Sequence, residues 1–173
     1  LFDKTKYEVL DKIQSGLTDI THNLPEAYQE VEYIESTGTQ YIDTGVIPNQ
    51  DTGFDIVFLT KNGISPYNYG VIMGAKETSN FQLTTFIDYD GSPQLGTLRY
   101  ARTYYSAGIT VNTKMHSTLL NKKYTNNHNL THTLDSTFSM SIPLTIFALN
   151  QNGNIIRDKA KVQLYSLKLY DGS

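Results

Sequence analysis

Acidic residues a few positions apart are the first candidates for chemistry in this chain. Glu30, Glu32 and Glu35 follow one another closely, and on one strand the outer two would form a close carboxylate pair. Retaining glycoside hydrolysis needs such a pair, with carboxyl groups roughly 5 Å apart. The plainer reading makes these acids an exposed row, with Val31, Tyr33 and Ile34 packing inward between them. His22, His116, His128 and His132 are the only histidines. His128 and His132 lie four apart, but in an Asn- and Thr-rich stretch without helical pattern, so no shared helix face gathers them around a metal. No Ser-His-acid grouping stands out among the many serines. Asp88-Tyr89-Asp90-Gly91 hints at calcium, yet it lacks the further acids and closing Glu of an EF-hand. A turn between strands accounts for its Asp-Gly step without an ion. The expectation is therefore no metal, no cofactor and no catalysis.

Binding chemistry is better represented in the middle of the chain. Tyr67-Asn68-Tyr69 follows Pro66 in a loop, where aromatic rings have no core to fill. Arg99, Tyr104 and Tyr105 read as lying on or just after a strand and facing one side. Sugar recognition needs a flat ring for the apolar face of a pyranose, together with amide, carboxylate or guanidinium partners for its hydroxyls. Tyr67, Asn68, Tyr69, Asp88, Arg99 and Tyr105 supply these types and form the candidate ligand site. Alternatively, the tyrosines cover strand ends or meet a neighbouring subunit.

Composition narrows the partners. With 14 Lys and Arg against 17 Asp and Glu, the net charge is −3 and no basic stripe appears, so nucleic acid is not expected. Charged residues make up only 18%, and Thr, Asn, Ser and Gln must supply the surface instead. The aromatic content is 13 Tyr and 7 Phe without a Trp; Tyr combines a flat apolar face with a polar tip. No Cys is present, which leaves neither disulfide nor thiolate site. No apolar run reaches the ~18 residues of a membrane span and no signal peptide is visible. The chain opens at Leu1 rather than Met, so a piece of a longer protein is expected.

Two kinds of element must carry these residues. At the amino end Leu10, Ile13, Leu17 and Ile20 recur at helical spacing with polar residues between. Read as a heptad seam, Leu at a and Ile at d favour three or four chains over two. A single amphipathic helix lying on its own or a neighbouring domain fits two heptads equally well. Asn23-Leu24-Pro25 ends the helix, giving a segment 1–23 and a domain 24–173. From Tyr28 onward the text is short β-prone runs: 31–35, 40–46, 53–60, 70–75, 81–89, 96–105, 114–121, 138–140, 144–150 and 162–170. Turn residues separate them at Pro48-Asn49, Asn62-Gly63, Asp90-Gly91-Ser92-Pro93, Asn126-Asn127 and Asn152-Gly153. This spacing predicts an all-β sandwich of two antiparallel sheets preceded by a short helix. The Tyr-Ile-acid-(Ser)-Thr-Gly text repeats within 33–45 and predicts strand, tight turn, strand. Residues 144–149, apolar on nearly both faces, predict a central strand. Between Tyr165 and Ser166 the alternation changes phase, which predicts a β-bulge returning Leu167 and Leu169 to the inner face.

The segment Tyr33-Ile34-Glu35-Ser36-Thr37-Gly38-Thr39-Gln40-Tyr41-Ile42-Asp43-Thr44-Gly45 resembles the opening of a family of concanavalin A-like (laminin G-like) jelly-roll domains. Those domains occur in tail and baseplate proteins of phages of Gram-positive bacteria and in bacterial surface proteins. Residues 24–33, Ile146 to Asn150 with Asn152-Gly153, and Lys159 to Asp171 resemble other parts of it, so the likeness spans roughly 24–173. It implies a jelly roll, a lectin-like, receptor-binding role in host adhesion, and a cell-surface saccharide of a Gram-positive host as ligand. It also implies a homo-oligomer such as a homotrimer, other tail proteins as partners, and a place on the virion or cell surface. A structural or assembly domain without ligand is the alternative. Laminarinase-type glycosidases share the architecture and carry Glu-x-Asp-x-x-Glu on a bulged strand. Here the central position is Glu32, the run sits in the family's first, edge strand, and no Trp exists to build sugar platforms, so hydrolysis through Glu30 and Glu35 ranks last. Relatives of the fold often hold calcium at loop ends, which keeps that ion in view for Asp88 and Asp90.

Overall fold

The computed structural model describes residues 31–61, 70–87, 93–107, 110, 112–127, 131–156 and 162–170. All regular structure among them is β. The expected helix in 1–23 lies outside the described residues, as do Tyr67, Asn68, Tyr69, Asp88, Glu30, His22 and His128.

Among the described residues fourteen strands form two sheets. The six-stranded sheet takes β1 (Ile34–Glu35), β14 (Val162–Tyr170), β3 (Gly53–Thr60), β8 (Lys114–Leu120), β9 (Lys123–Asn126) and β10 (Thr131–Thr133), in that order. The eight-stranded sheet runs β13 (Asn154–Ile156), β12 (Leu149–Gln151), β4 (Gly70–Lys76), β5 (Asn80–Ile87), β6 (Pro93–Ala101) and β7 (Thr103–Ala107). Its remaining members are β11 (Thr145–Ile146), which pairs with β4, and β2 (Ile42–Asp43), which pairs with β11. Pairing is antiparallel except between β12 and β4. The result is a two-sheet jelly-roll sandwich.

Alternation builds the core between the sheets. In β3, Phe54, Ile56 and Phe58 are fully buried while Asp55, Val57 and Leu59 are only half-buried. Phe81 of β5 lies 6.3 Å from Phe54 and 6.0 Å from Phe138, and Tyr100 meets Phe138 edge-on at 5.0 Å. Each such ring contributes about 1.5–3 kcal/mol through burial. Gly53 lets β3 start close against β8: a Cβ there would lie 2.4 Å from the Leu119 carbonyl oxygen.

The bulge in β14 lies where the phase change puts it, with the register to β3 shifting between Leu164 and Ser166. Leu167 and Leu169 accordingly pack against the core. Asn152 and Gly153 turn the β12–β13 hairpin with φ of 51° and 82°, the left-handed pair that such two-residue turns require.

Four expectations are corrected. Residues 33–45 do not form a hairpin: β1 joins β14 in one sheet and β2 joins β11 in the other. The Thr-Gly step, with Gly38 at φ 91°, carries the chain across the sandwich instead. Val31, Tyr33 and Ile34 are 60%, 37% and 40% exposed rather than inward, because a two-residue edge strand has too little sheet around it to cover them. The run 96–105 is two strands, broken at Ala101 with φ 54° and Arg102. The run 144–150 is buried throughout but reverses at Phe147, φ 63°, whose N–H donates to the Ile72 carbonyl. That reversal lets β11 run antiparallel and β12 parallel to one strand, β4.

Candidate functional site

The outer face of the six-stranded sheet is charged, and its groups satisfy one another. Lys61 Nζ lies 3.1 Å from Glu35 Oε1, and Gln163 Nε2 donates to Glu35 Oε2 at 3.2 Å. Tyr165 Oη donates in turn to Gln163 Oε1 at 3.0 Å, while Lys114 Nζ sits 3.8 Å above the Tyr165 ring. Further along, His116 Nε2 meets Asp55 Oδ1 at 2.9 Å, and the Asn127 amide ties the His116 N–H to the Lys114 carbonyl. Thr118 and Thr125 share a hydrogen bond of 2.6 Å. The Lys61–Glu35 and His116–Asp55 pairs are solvent-exposed, each worth less than about 1 kcal/mol, while the Gln163 and Thr118–Thr125 bonds are part-buried. Glu35 thus acts as an acceptor joining an edge strand to β3 and β14.

The outer face of the eight-stranded sheet is different in kind. Phe81, Leu98 and Tyr100 point into the core, so alternation places Asn80, Gln82 and Arg99 on the opposite side. Register sets Gly74, Gln82, Arg99 and Tyr104 in one row across β4, β5, β6 and β7. The next row is Val71, Thr84, Thr97 and Ser106. Lys76 pairs with Asn80 at the end of the β4–β5 ladder, so two amides and two cationic residues, Arg99 and Lys76, belong to this side of the sheet. Gly74 is the low point of its row. A Cβ there would meet Leu149 Cδ1 at 2.9 Å, Gln82 Cγ at 3.1 Å and Val71 Cγ1 at 3.2 Å.

Two carboxamide oxygens on this face are buried without a hydrogen-bond partner among the described residues, Asn80 Oδ1 and Gln82 Oε1. Gln82 as a whole is 3% exposed. The Asn80 amide is oriented by its own donor, which reaches the Ala101 carbonyl at 3.4 Å. Leaving such an acceptor unmatched costs about 1–3 kcal/mol. A polar group kept at that cost is an indication of function rather than of stability.

Of the six site residues expected from sequence, Tyr67, Asn68, Tyr69 and Asp88 lie outside the described residues. The structure separates the other two. Arg99 is half-buried on the outer face, whereas Tyr105 stands opposite Leu98 in register and packs against the core. Its ring lies 5.3 Å from His132, which stacks on Tyr124 at 6.4 Å. Tyr105 and His132 so link β7 and β10, the last strands of the two sheets. Tyr104, not Tyr105, shares the Arg99 row. The expectation that both tyrosines face one way fails because neighbours on a strand point to opposite sides. Asn80 and Gln82, not among the sequence candidates, are singled out by their unpartnered oxygens; the alternation Asn80-Phe81-Gln82 puts them on one side of β5.

The titrating groups with shifted values are structural. Burial first, then Asp51 and Tyr105, pushes the Tyr100 phenol up to about 12, and it donates to the Gln50 carbonyl. Burial likewise pushes Tyr124 up to about 12, against a smaller opposing effect of Ser117. Glu77 is held below the usual carboxylate range by hydrogen bonds from the Ser141 hydroxyl and backbone N–H. Among the described residues no three His, Asp or Glu gather to hold a metal, and no helix is long and apolar enough to cross a membrane.

No protein-family model matches the chain, and no curated protein sequence matches it. Solved structures do. NanB, a sialidase from Streptococcus pneumoniae, aligns in its structure with Optactamide at 15% identity and TM-score 0.51, over 82% of this chain and 26% of that one. Domain 4 of AbnA, an extracellular arabinanase from Geobacillus stearothermophilus, solved with arabinotriose, aligns at 11% identity and TM-score 0.47, over 84% and 78%. A toad ovary galectin in complex with N-acetylgalactose aligns at 8% identity and TM-score 0.40, over 78% of this chain and 100% of the galectin. The chain thus spans about a quarter of the length of the sialidase chain it resembles. At these identities the likeness is one of fold.

Proposed function

We propose that this chain is a non-catalytic saccharide-binding module that uses the outer face of its eight-stranded sheet. One observation carries the reading: Arg99 stands in register with Gln82, whose amide oxygen is buried without a partner among the described residues. Guanidinium and amide groups are the partners that paired sugar hydroxyls need. Gly70 and Ile87, which adjoin the segments holding Tyr67, Asn68, Tyr69 and Asp88, lie at the same end of this sheet.

The sequence resemblance supports a finer version. In it the module belongs to a phage tail or baseplate protein, sits on the virion or a cell surface, and recognises envelope saccharide of a Gram-positive host. Weak single sites would then act together in a homo-oligomer, a trimer on the heptad reading, through avidity. A structural or assembly role is the second reading. The exposed Val31, Tyr33, Ile34, Tyr41, Ile42 and Ile47 favour it, since such residues suit protein contact. A glycan array with the oligomerised protein separates the two. Saccharide binding that Arg99→Ala weakens supports the module; no binding to host wall polysaccharide overturns it.

A further inference from the structure

We infer that the carboxamide oxygens of Asn80 and Gln82 are the acceptors for two ligand hydroxyls, so that this face selects a hydroxyl-rich neutral saccharide. The inference rests on the saccharide-binding reading above and adds its chemistry. Asn80 and Gln82 are two apart on β5, so their side chains leave the same face from backbone positions about 7 Å apart. Both oxygens are buried without a partner among the described residues. Other buried acceptors of this kind do not share a strand face: Thr60 Oγ1, for example, stands at the end of β3 in the other sheet.

The donor and acceptor inventory then decides the ligand class. A carboxamide oxygen accepts and cannot donate, so only a ligand proton can satisfy it. A hydroxyl provides that proton and keeps its own acceptor capacity for a neighbouring donor. An ionised carboxylate brings no proton, and its oxygens against Gln82 Oε1 would set acceptor against acceptor. Arg99 and Lys76, which pairs with Asn80 in register, would by themselves suit an anion; two acceptors without a partner among the described residues turn the preference to a polyol. Both oxygens are covered by their surroundings, so ligand hydroxyls reach them after changes of side-chain rotamer, a common event on binding.

The test uses the whole chain and a defined probe set of neutral disaccharides with uronic-acid counterparts of the same linkage. Affinities are measured for the native protein, Gln82→Leu and Asn80→Leu, with thermal melts to confirm folding. The expected result is binding of a neutral probe by the native protein, weaker binding of its uronic-acid counterpart, and about tenfold loss for each variant, one hydrogen bond's worth. In parallel, the side-chain amide resonances of Asn80 and Gln82 in the native protein should shift on titration, a readout independent of variant folding. Saccharide binding with unchanged variant affinities and unmoved amide resonances overturns the inference and leaves the saccharide-binding reading standing. Failure of the native protein to bind any probe, or any array glycan, overturns both.

Discussion

The two outer faces of the sandwich are built from the same kind of strand but finished in opposite ways. On the six-stranded sheet, charged and amide groups close upon themselves: Lys61, Glu35, Gln163 and Tyr165 form a chain in which the Gln163 amide both donates and accepts. On the eight-stranded sheet, Gln82 occupies a similar strand position, yet its oxygen has no partner among the described residues. One glutamine links neighbouring strands; the other keeps an unmatched acceptor, which the proposed reading reserves for a ligand. Hydrogen bonding, more than residue type, distinguishes a finished surface from a receptive one.

Substitutions can break that contrast in order of effect. Phe81→Ala removes the ring that supports β5 from beneath, and should cost about 3–5 kcal/mol in urea unfolding. Both faces should weaken together, because the core is common to them. Gly74→Ala should act on one face only. Its Cβ would crowd Leu149 and Gln82, costing about 1–3 kcal/mol while leaving the Glu35–Lys61 side undisturbed, as amide chemical shifts would report.

The sharpest pair is Gln163→Leu against Gln82→Leu. The first strips Glu35 and Tyr165 of a partner and should lower stability by about 1 kcal/mol. The second removes an unmatched buried acceptor and should raise stability by a similar amount. Denaturation midpoints of the same sign for both would mean the two faces are not distinct in this respect.

A smaller effect concerns the loop beside the receptive sheet. Glu77, at the β4–β5 turn, has its value lowered from 4.5 by its bonds from Ser141. A depressed carboxylate contributes stability that is complete above its unfolded value and is lost as pH falls through the folded one. Stability should therefore decline below about pH 4.5 in a way that Ser141→Ala partly removes, measured as midpoint against pH.

Much of the fold was legible because local pattern and long-range packing agree in it. The bounds of β3, the bulge after Leu164 and the Asn152-Gly153 turn all follow from alternation and turn chemistry. What escaped depends on tertiary context. Ala101 and Phe147 take left-handed backbone that no Gly or Asn announces, so single runs were read where the chain turns. Residues 33–45 looked like a hairpin because local text cannot say which sheet a strand joins. Of the candidate site, sequence alone does not part Arg99 from Tyr105, which strand alternation sends to the core side opposite Leu98. Asn80 and Gln82 look ordinary in sequence, and only the absence of a partner in three dimensions singles them out.

The central claim is that the eight-stranded sheet presents the binding face. The most direct measurement is backbone and side-chain amide shift mapping while a neutral saccharide found on the array is titrated into the labelled protein. The account predicts the largest shifts at Asn80, Gln82 and Arg99, with Glu35, Gln163 and Tyr165 unmoved. Shifts centred on Glu35, Gln163 and Tyr165, with Asn80 and Gln82 silent, would contradict it.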